Sequence, residues 1–310
     1  KIEPNLKICF REKNEWVYLV KRCGLSLVST YHYINIWVAS RTVLVFKKRN
    51  ISKQLGYIDY RKPNQNIILI TGGSGFIGFH LINFLLEKKI NGKNNHLIIM
   101  LRNPEHRLKK IRNCSYLYCD FDELENFKSK IKKIDYVFHF AAEVKFNKPV
   151  DPDRHNEKAT KQLIDFISNF KIKKFIFGST LGALERGKND DCRNPLTESS
   201  LGFPKSMYGI SKLNSEKAVI SSKLPFNIIR IPWAYGSNMS PDTHLRYFYD
   251  LTKKNKFLTR INFTGKVSII HINDLLRSIL LVSEKSNNKE IFHVSDNVPI
   301  SLGDIFSIIP

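Results

Sequence analysis

The sequence predicts an α/β fold in which a doubly wound parallel sheet is joined to a smaller carboxyl-terminal lobe. Three observations lead to this prediction. Short apolar runs without alternation, typical of strands buried on both faces of a sheet, recur along the chain from Ile67 onward. Segments with helical periodicity separate these runs. A glycine-rich turn joins the first run to the first of these helices, as in a strand–helix–strand unit.

The segment Ile67 to Gly78, IILITGGSGFIG, combines the first strand with this turn. Its glycines recur at every third residue, which permits a tight turn and lets a ligand approach the backbone closely. The helix predicted over Phe76 to Lys89 begins at the turn, and its free N–H groups can bind a pyrophosphate. The segment therefore predicts a dinucleotide site with the residues Gly72, Gly75, Phe76, Ile77 and Gly78.

The residues at the ends of the next strands predict further contacts with this ligand. The strand His96 to Leu101 ends in Arg102, whose guanidinium suits the 2′-phosphate of NADP, whereas a carboxylate there would suit NAD. We therefore expect NADP, with NAD as the alternative. Asp120 and Phe121 follow a third strand and are predicted to contact the adenine ring.

The strand Asp135 to Ala142, DYVFHFAA, ends in two small residues, Ala141 and Ala142, that let the backbone pass close to a ligand. His139 within it is expected to be a core histidine. The strand Lys174 to Thr180, KFIFGST, is predicted to place Ser179 and Thr180 at the same edge of the sheet.

A tyrosine and a lysine stand four residues apart in MYGISK, on a helix predicted over Ser206 to Ser221. Both side chains then lie on one face of the helix. A phenol has a pKa of about 10, and an adjacent ammonium favours the phenolate. Lys212 is therefore predicted to lower the pKa of Tyr208, so that Tyr208 can exchange a proton with an alcohol or ketone.

Bulk composition limits the classes of partner. The formal net charge is +22, but the lysines are spread through the chain among Ile and Asn, which indicates a compositional bias, and we expect no nucleic acid partner. No uncharged apolar run approaches the roughly 18 residues of a membrane span, so no membrane is expected either. The five cysteines form no CxxC pair, so neither a metal site nor a disulfide framework is predicted, and a cytoplasmic location fits best.

The first 50 residues follow a different pattern. They predict a helix over Glu15 to Cys23 and strands over Leu25 to Ile34 and Arg41 to Lys47. This order resembles the carboxyl end of class I S-adenosylmethionine-dependent methyltransferases. Two interpretations stay open: the remnant of a methyltransferase domain upstream, or an unrelated extension. Residues 51–65 are predicted to be a linker. The first residue is not methionine and the last lies in an unfinished predicted helix, so we expect a fragment of a longer protein.

From about residue 66 to 310 the chain resembles extended short-chain dehydrogenases/reductases of the NAD-dependent epimerase/dehydratase type. The matching motifs, in order, are TGGSGFIG, DYVFHFAA, NEKAT, FGST, YGISK, RIPWAYG and HINDL. The resemblance implies a Rossmann-type domain whose substrate lobe comes from about 181–205 and 237–310. It also implies Tyr208 as the catalytic acid/base, Lys212 as a ligand of the nicotinamide ribose, and Thr180 as hydrogen-bond donor to the reacting oxygen, with Ser179 as its alternative.

The resemblance implies an enzyme that moves hydride at a carbinol or keto carbon of a small molecule, a sugar nucleotide or related polyhydroxy compound being expected. Leu181 and Gly182 stand where dehydratases of the family carry Asp-Glu, so dehydration is not expected. Trp233 stands where epimerases often carry Asn, so a reductase of a steroid-like, flavonoid-like or acyl substrate is the alternative. A non-catalytic NADP sensor or RNA-binding relative is a second alternative. The family also implies a homodimer.

Overall fold

The computed structural model describes residues 25–35, 38–48, 55–58, 60, 64–103, 108, 111–143, 156–186, 195–239, 243–254 and 265–308. The chain divides into two compact units, residues 1–53 and 54–310, and each is described by itself. In the first unit, β1 (Leu25–Asn35) and β2 (Val38–Lys48) form an antiparallel hairpin, which confirms the two predicted strands. The helix predicted over Glu15 to Cys23 lies outside the described residues.

The first five strands of the second unit lie where the apolar runs predicted strands. In chain order the strands of this unit are β3 (Gln65–Thr71), β4 (Asn94–Leu101), β5 (Cys114–Tyr118), β6 (Tyr136–His139), β7 (Lys174–Thr180), β8 (Phe226–Ile231), β9 (Trp233–Tyr235), β10 (Lys266–Val267), β11 (Ile269–His271), β12 (Glu290–His293) and β13 (Ile300–Ser301).

Within the described residues, seven of these strands form one parallel sheet in the order β12-β8-β7-β6-β3-β4-β5. The chain runs outward from β3 to β5 and then returns to β6 on the other side of β3. Ligands of open parallel sheets bind at such a reversal, outside the carboxyl ends of the strands. Two further pairs, parallel β9 with β11 and antiparallel β10 with β13, lie outside this sheet.

The helices cover both faces of the sheet. They are α1 (Phe76–Glu87), α2 (Lys158–Ile167), α3 (Met207–Ser221), α4 (His244–Lys254), α5 (Ile272–Lys285) and α6 (Leu302–Ile308), with short 3₁₀ helices at Phe121–Phe127 and Leu181–Leu184. Leu81 of α1 and Ile279 of α5 belong to one buried cluster, and Leu163 of α2 and Val219 of α3 belong to the other. In the described part of the chain, no helix has the length and apolar content that a membrane crossing needs.

Strand β3 explains why the two clusters form. Ile67 and Leu69 point into one cluster, while Ile68 and Ile70 point into the other, and all four are at most 2% exposed. An apolar run without alternation is therefore the pattern of a strand covered on both faces. The predicted doubly wound parallel sheet is confirmed.

Part of the predicted linker is packed rather than free. Leu55 forms an antiparallel bridge with Leu117 of β5, and the Gly56 N–H donates to the Tyr116 carbonyl at 3.1 Å. Ile58 is buried in the core. The prediction of a linker across 51–65 is therefore wrong for these residues, because their apolar side chains and backbone groups bind the edge of the sheet.

The turn between β3 and α1 depends on glycine at several positions. Gly72 has φ +80°, and a Cβ there would lie 2.5 Å from the Ala141 nitrogen, in the loop after β6. A Cβ on Gly78 would overlap the Gly72 carbonyl oxygen. Gly73, which the sequence reasoning gave no role, is constrained too, because a Cβ there would lie 2.7 Å from Ile99 of β4. The helix can thus begin directly above the sheet edge.

The contact at Gly78 leads to a prediction about stability. The substitution Gly78→Ala should lower the free energy of unfolding by about 1–3 kcal/mol, because the new methyl group overlaps the Gly72 carbonyl. Helix propensity alone predicts the opposite sign, since Ala is favoured over Gly by about 1 kcal/mol inside a helix. Urea denaturation measures the difference.

Gly265→Ala is the matched control, because a Cβ at Gly265 meets nothing within 4 Å. Its effect should stay within about 0.5 kcal/mol. A Gly78→Ala protein that is as stable as the wild type would contradict the close packing described for the turn.

Candidate active site

The predicted site residues gather at the carboxyl edge of the sheet. Thr71, which ends β3, is aligned with His139, which ends β6, and Thr180 of β7 is aligned with Ile231 of β8. The turn after β3 touches the backbone at Ala141, in the segment that follows β6. The glycine turn, the Ala141–Ala142 segment and Thr180 therefore lie along one edge.

The start of α1 fits an anion such as a pyrophosphate. Its N-cap is Gly75, which offers no side chain to bind the free N–H groups, and no acidic residue stands in the first turn. The next residues, Phe76 and Ile77, are only partly buried. A glycine turn with no side-chain cap and no acidic residue in the first turn of the helix is suited to a negatively charged ligand. This agrees with the dinucleotide prediction.

The residues predicted to contact the adenosine half differ in how they are held. Arg102 directly follows β4 and is exposed. The Asp120 carboxylate accepts a hydrogen bond from the Phe121 N–H at 2.8 Å and caps the 3₁₀ helix after β5. The Phe121 ring meets His139 edge-on at 5.7 Å between centroids. Contact of Asp120 and Phe121 with an adenine ring stays a prediction.

The turn that carries Tyr208 packs against the turn that follows Thr180. Ser206 is the N-cap of helix α3, and its hydroxyl accepts a hydrogen bond from the Gly209 N–H at 3.0 Å. A Cβ on Gly209 would overlap the Gly182 carbonyl oxygen. The Thr180 hydroxyl in turn accepts from the Gly182 N–H at 3.2 Å. The structure thus brings the segments of Thr180 and Tyr208 together.

The predicted electrostatic relation between Lys212 and Tyr208 is wrong in this structure. Burial raises the pKa of Tyr208 to about 12, although Lys212 was predicted to lower it. The physical reason lies in the position of the Lys212 ammonium, which donates to the Gly178 carbonyl at 2.6 Å and lies 4.1 Å from the centre of the Phe177 ring. Burial also lowers the pKa of Lys212 to about 7, while the charge of Glu216 acts in the opposite direction.

The two hydroxyl candidates at the end of β7 are not equivalent. The Ser179 hydroxyl is buried and donates to the Glu216 carboxylate at 2.5 Å. Thr180 is less buried and holds the turn next to Tyr208. The hydrogen of Ser179 is committed to a buried acceptor, which favours Thr180 over Ser179 as a partner of a reacting oxygen.

His139 is a core histidine, as expected. Its Nδ1 lies 2.6 Å from the Thr71 hydroxyl and its Nε2 lies 3.0 Å from the Thr160 hydroxyl. Burial, reinforced by the charge of Lys212, holds the pKa of His139 well below its usual value. The neutral ring therefore joins β3, β6 and α2 beneath the site.

Asn156 and Ser211 support the site, and the sequence reasoning assigned neither a role. The buried Asn156 amide accepts from the Glu143 N–H at 2.8 Å and donates to the Ser211 hydroxyl at 3.1 Å. Ser211 donates to the Tyr208 carbonyl at 2.8 Å. The signals were present in the NEKAT motif and in the three-residue spacing from Tyr208 to Ser211, which places a hydroxyl next to the Tyr208 carbonyl.

Comparison with known proteins agrees with this geometry. The family model of the "NAD dependent epimerase/dehydratase family" matches residues 68–295. A dTDP-D-glucose 4,6-dehydratase of Dictyostelium discoideum is 30% identical over 77% of this chain and 60% of its own length, so the chain spans about three fifths of that relative.

Two solved structures show the fold. UDP-glucose 4-epimerase of Thermotoga maritima, solved with UDP-glucose, has a TM-score of 0.63 at 23% identity, covering 77% of this chain and 80% of its own. A dTDP-glucose 4,6-dehydratase of Bacillus anthracis, solved with NAD, has a TM-score of 0.62 at 19% identity, covering 78% of each. Motifs, sheet order and family model all agree, and the chain belongs to the NAD dependent epimerase/dehydratase family.

Proposed function

We propose that this chain is an NAD(P)-dependent oxidoreductase or epimerase that moves hydride at a carbinol or keto carbon. The observation that carries the proposal is the contact between Gly209 and the Gly182 carbonyl, since it sets the turn of Tyr208 against the turn of Thr180. Thr180 lies on the sheet edge that also holds the glycine turn. A phenol, a hydroxyl and a phosphate cradle are the groups that such a reaction needs.

Each residue has one task in the proposed mechanism. When bound, the nicotinamide supplies or accepts the hydride. Tyr208 gives a proton to the carbonyl oxygen, or takes one from the hydroxyl, in the same step. Thr180 donates a hydrogen bond to that oxygen and orients it. The Lys212 ammonium, which donates to the Gly178 carbonyl in the structure, would bind the nicotinamide ribose and hold it beside Tyr208.

A sugar nucleotide or related polyhydroxy compound is the substrate class we propose. The two solved relatives named above are a UDP-glucose epimerase and a dTDP-glucose dehydratase. Dehydration needs an added acid and base, but the residues after Thr180 are Leu181 and Gly182, which begin a short 3₁₀ helix and carry no ionisable group. Epimerisation or simple reduction is therefore favoured over loss of water.

A less polar substrate is the second candidate, and the aromatic pair near the site favours it. Trp233 stands two residues beyond Ile231, the strand partner of Thr180, and its ring lies 5.7 Å from that of Phe248 on α4. Leu201, Phe203 and Met207, just before Tyr208, are at least half exposed. Such a surface suits a ring system or an acyl chain. A homodimer stays a prediction of the family resemblance, and a cytoplasmic location stays a prediction of the cysteine content.

Tyr208→Phe tests the proposed chemistry. The variant should lose at least about 100-fold in turnover, because the proton donor is removed, while the affinity for NADH or NADPH should stay unchanged. Turnover is followed with UDP-glucose and dTDP-glucose as trial substrates, and affinity by fluorescence titration.

Tyr118→Phe on β5, where the ring stacks on Tyr116, is the matched control and should behave like the wild type. If Tyr208→Phe were fully active, Tyr208 would not be the acid/base. If neither dinucleotide bound to the folded wild type, the proposal would be lost as a whole.

The dinucleotide that accompanies the purified protein separates epimerase from reductase. An epimerase restores its nicotinamide in every cycle, so we expect it to retain one dinucleotide for each chain. A reductase must release the oxidised product, so it would be isolated largely empty. Mass spectrometry of the small molecules freed by denaturation distinguishes the two results, with the molar ratio as the readout.

Arg102→Asp tests the proposed preference for NADP. The substitution removes a charge-assisted hydrogen bond to the 2′-phosphate and should weaken NADPH binding by about 10- to 100-fold, without weakening NADH binding. Arg112→Asp carries the same change of charge at an exposed residue before β5 and should leave the ratio of the two affinities unchanged. An unchanged ratio in Arg102→Asp would leave NAD as the cofactor.

A further inference from the structure

Helix α3 carries a third ionisable residue on the face of Tyr208 and Lys212. Glu216 follows Lys212 by four residues, so the three side chains form a single row along the helix. Lys212 is 2% exposed and Glu216 is 1% exposed. Burying a charge is costly unless another charge or several hydrogen bonds compensate it, so the neighbours of these two side chains matter.

The Glu216 carboxylate is fixed from two strands. The Ser179 hydroxyl of β7 donates to Oε1 at 2.5 Å. Arg230 of β8 donates through Nη2 to Oε2 at 2.8 Å and through Nε to Oε1 at 3.1 Å. A hydroxyl and a two-point guanidinium contact hold the carboxylate in one orientation.

Arg230 also makes contacts with residues other than Glu216. Its Nη1 donates to the Glu198 carbonyl at 3.0 Å and lies 3.4 Å from the Nε2 of His293. The guanidinium is therefore anchored by the loop before α3 and by β12 as well as by the carboxylate. This anchoring keeps Glu216 in the row of α3, one turn from Lys212.

Lys212 has a neutral partner instead of an acidic one. Its ammonium donates to the Gly178 carbonyl, and within the described residues it makes no direct ion pair. The titratable groups around it there are Tyr208 and Glu216 on α3 and His139 on β6, which is held neutral. Strand β7 presents the Gly178 carbonyl and the Phe177 ring. Glu216 thus supplies the negative charge that acts on Lys212.

We propose that Glu216 is a positioning residue that keeps Lys212 in its ammonium form for the bound dinucleotide, and that Ser179 and Arg230 hold Glu216 in place. The inference rests on the proposed function, in which the Lys212 ammonium binds the nicotinamide ribose. The counter-charge lies one helical turn away instead of in direct contact. The Lys212 hydrogens therefore stay available to a ligand, whereas a direct ion pair would occupy them.

The pH dependence of NADH affinity tests the proposal without any substrate. NADH should bind the protonated lysine better, so binding raises the pKa of Lys212 above its value of about 7 in the free protein. Affinity is then full below that pKa and declines as the pH rises above it. In Glu216→Gln the decline should begin about 1 pH unit lower, because a charge one turn away in the protein interior is lost. Affinity at pH 8 should fall accordingly.

Three further variants make the result interpretable. Lys212→Met should abolish the pH-dependent decline, which assigns it to Lys212. Glu216→Asp keeps the charge and should restore the wild-type onset. Since Glu216→Gln leaves Arg230 buried without its counter-ion, Glu216→Gln with Arg230→Met serves as a second test that removes both charges, and its onset should also move down. Circular dichroism checks that each variant is folded.

The outcomes separate the two proposals. Absence of NADH binding by the folded wild type would overturn the proposed function and this inference with it. Wild-type binding with an unshifted onset in a folded variant that lacks the Glu216 charge would overturn the inference alone and leave Glu216 a structural residue. A lowered onset that Glu216→Asp restores would support it.

Discussion

The rest of the site depends on the close contact between Gly78 and the Gly72 carbonyl, which leaves no room for a Cβ at Gly78. This contact brings the amino end of α1 down onto the carboxyl end of β3, next to the Ala141 backbone. The strand order places the other groups of the site. Strands β6 and β7 follow β3 in the sheet, so Ala142 and Thr180 lie at the same edge as the turn. A side chain at Gly78 would press the helix away from the turn, and a side chain at Gly72 would press against the Ala141 backbone.

The fold was predictable because it follows from local patterns. The run Ile67 to Ile70 has no polar interruption, and the structure buries these residues on both faces of the sheet. Helices α1 and α3 begin where the glycine turn and Ser206 predicted them. Leu55 to Ile58 was misjudged, since a short apolar stretch among polar residues gives no periodic signal although it binds the edge of β5.

The site was predictable only in part, because its supporting contacts are made between segments far apart in the chain. The spacing of residues within α3 identified Tyr208 and Lys212. The hydrogen bonds by which Asn156 joins the loop after β6 to Ser211 could not be predicted from any spacing in the sequence. The direction of the Tyr208 pKa was missed for a related reason. Proximity along a helix was taken as contact, whereas the Lys212 ammonium is bound to Gly178 on a neighbouring strand.

The packing of Leu55 and Gly56 along β5 has a consequence for solubility. Strand β5 ends the sheet, and an uncovered edge strand exposes unpaired N–H and C=O groups to which a second chain can add. The Gly56 N–H occupies the Tyr116 carbonyl, and the Leu55–Leu117 bridge shields the middle of the strand. Part of the stretch that was predicted to be a linker thus covers the edge of β5 and leaves fewer backbone groups to which a second chain can add.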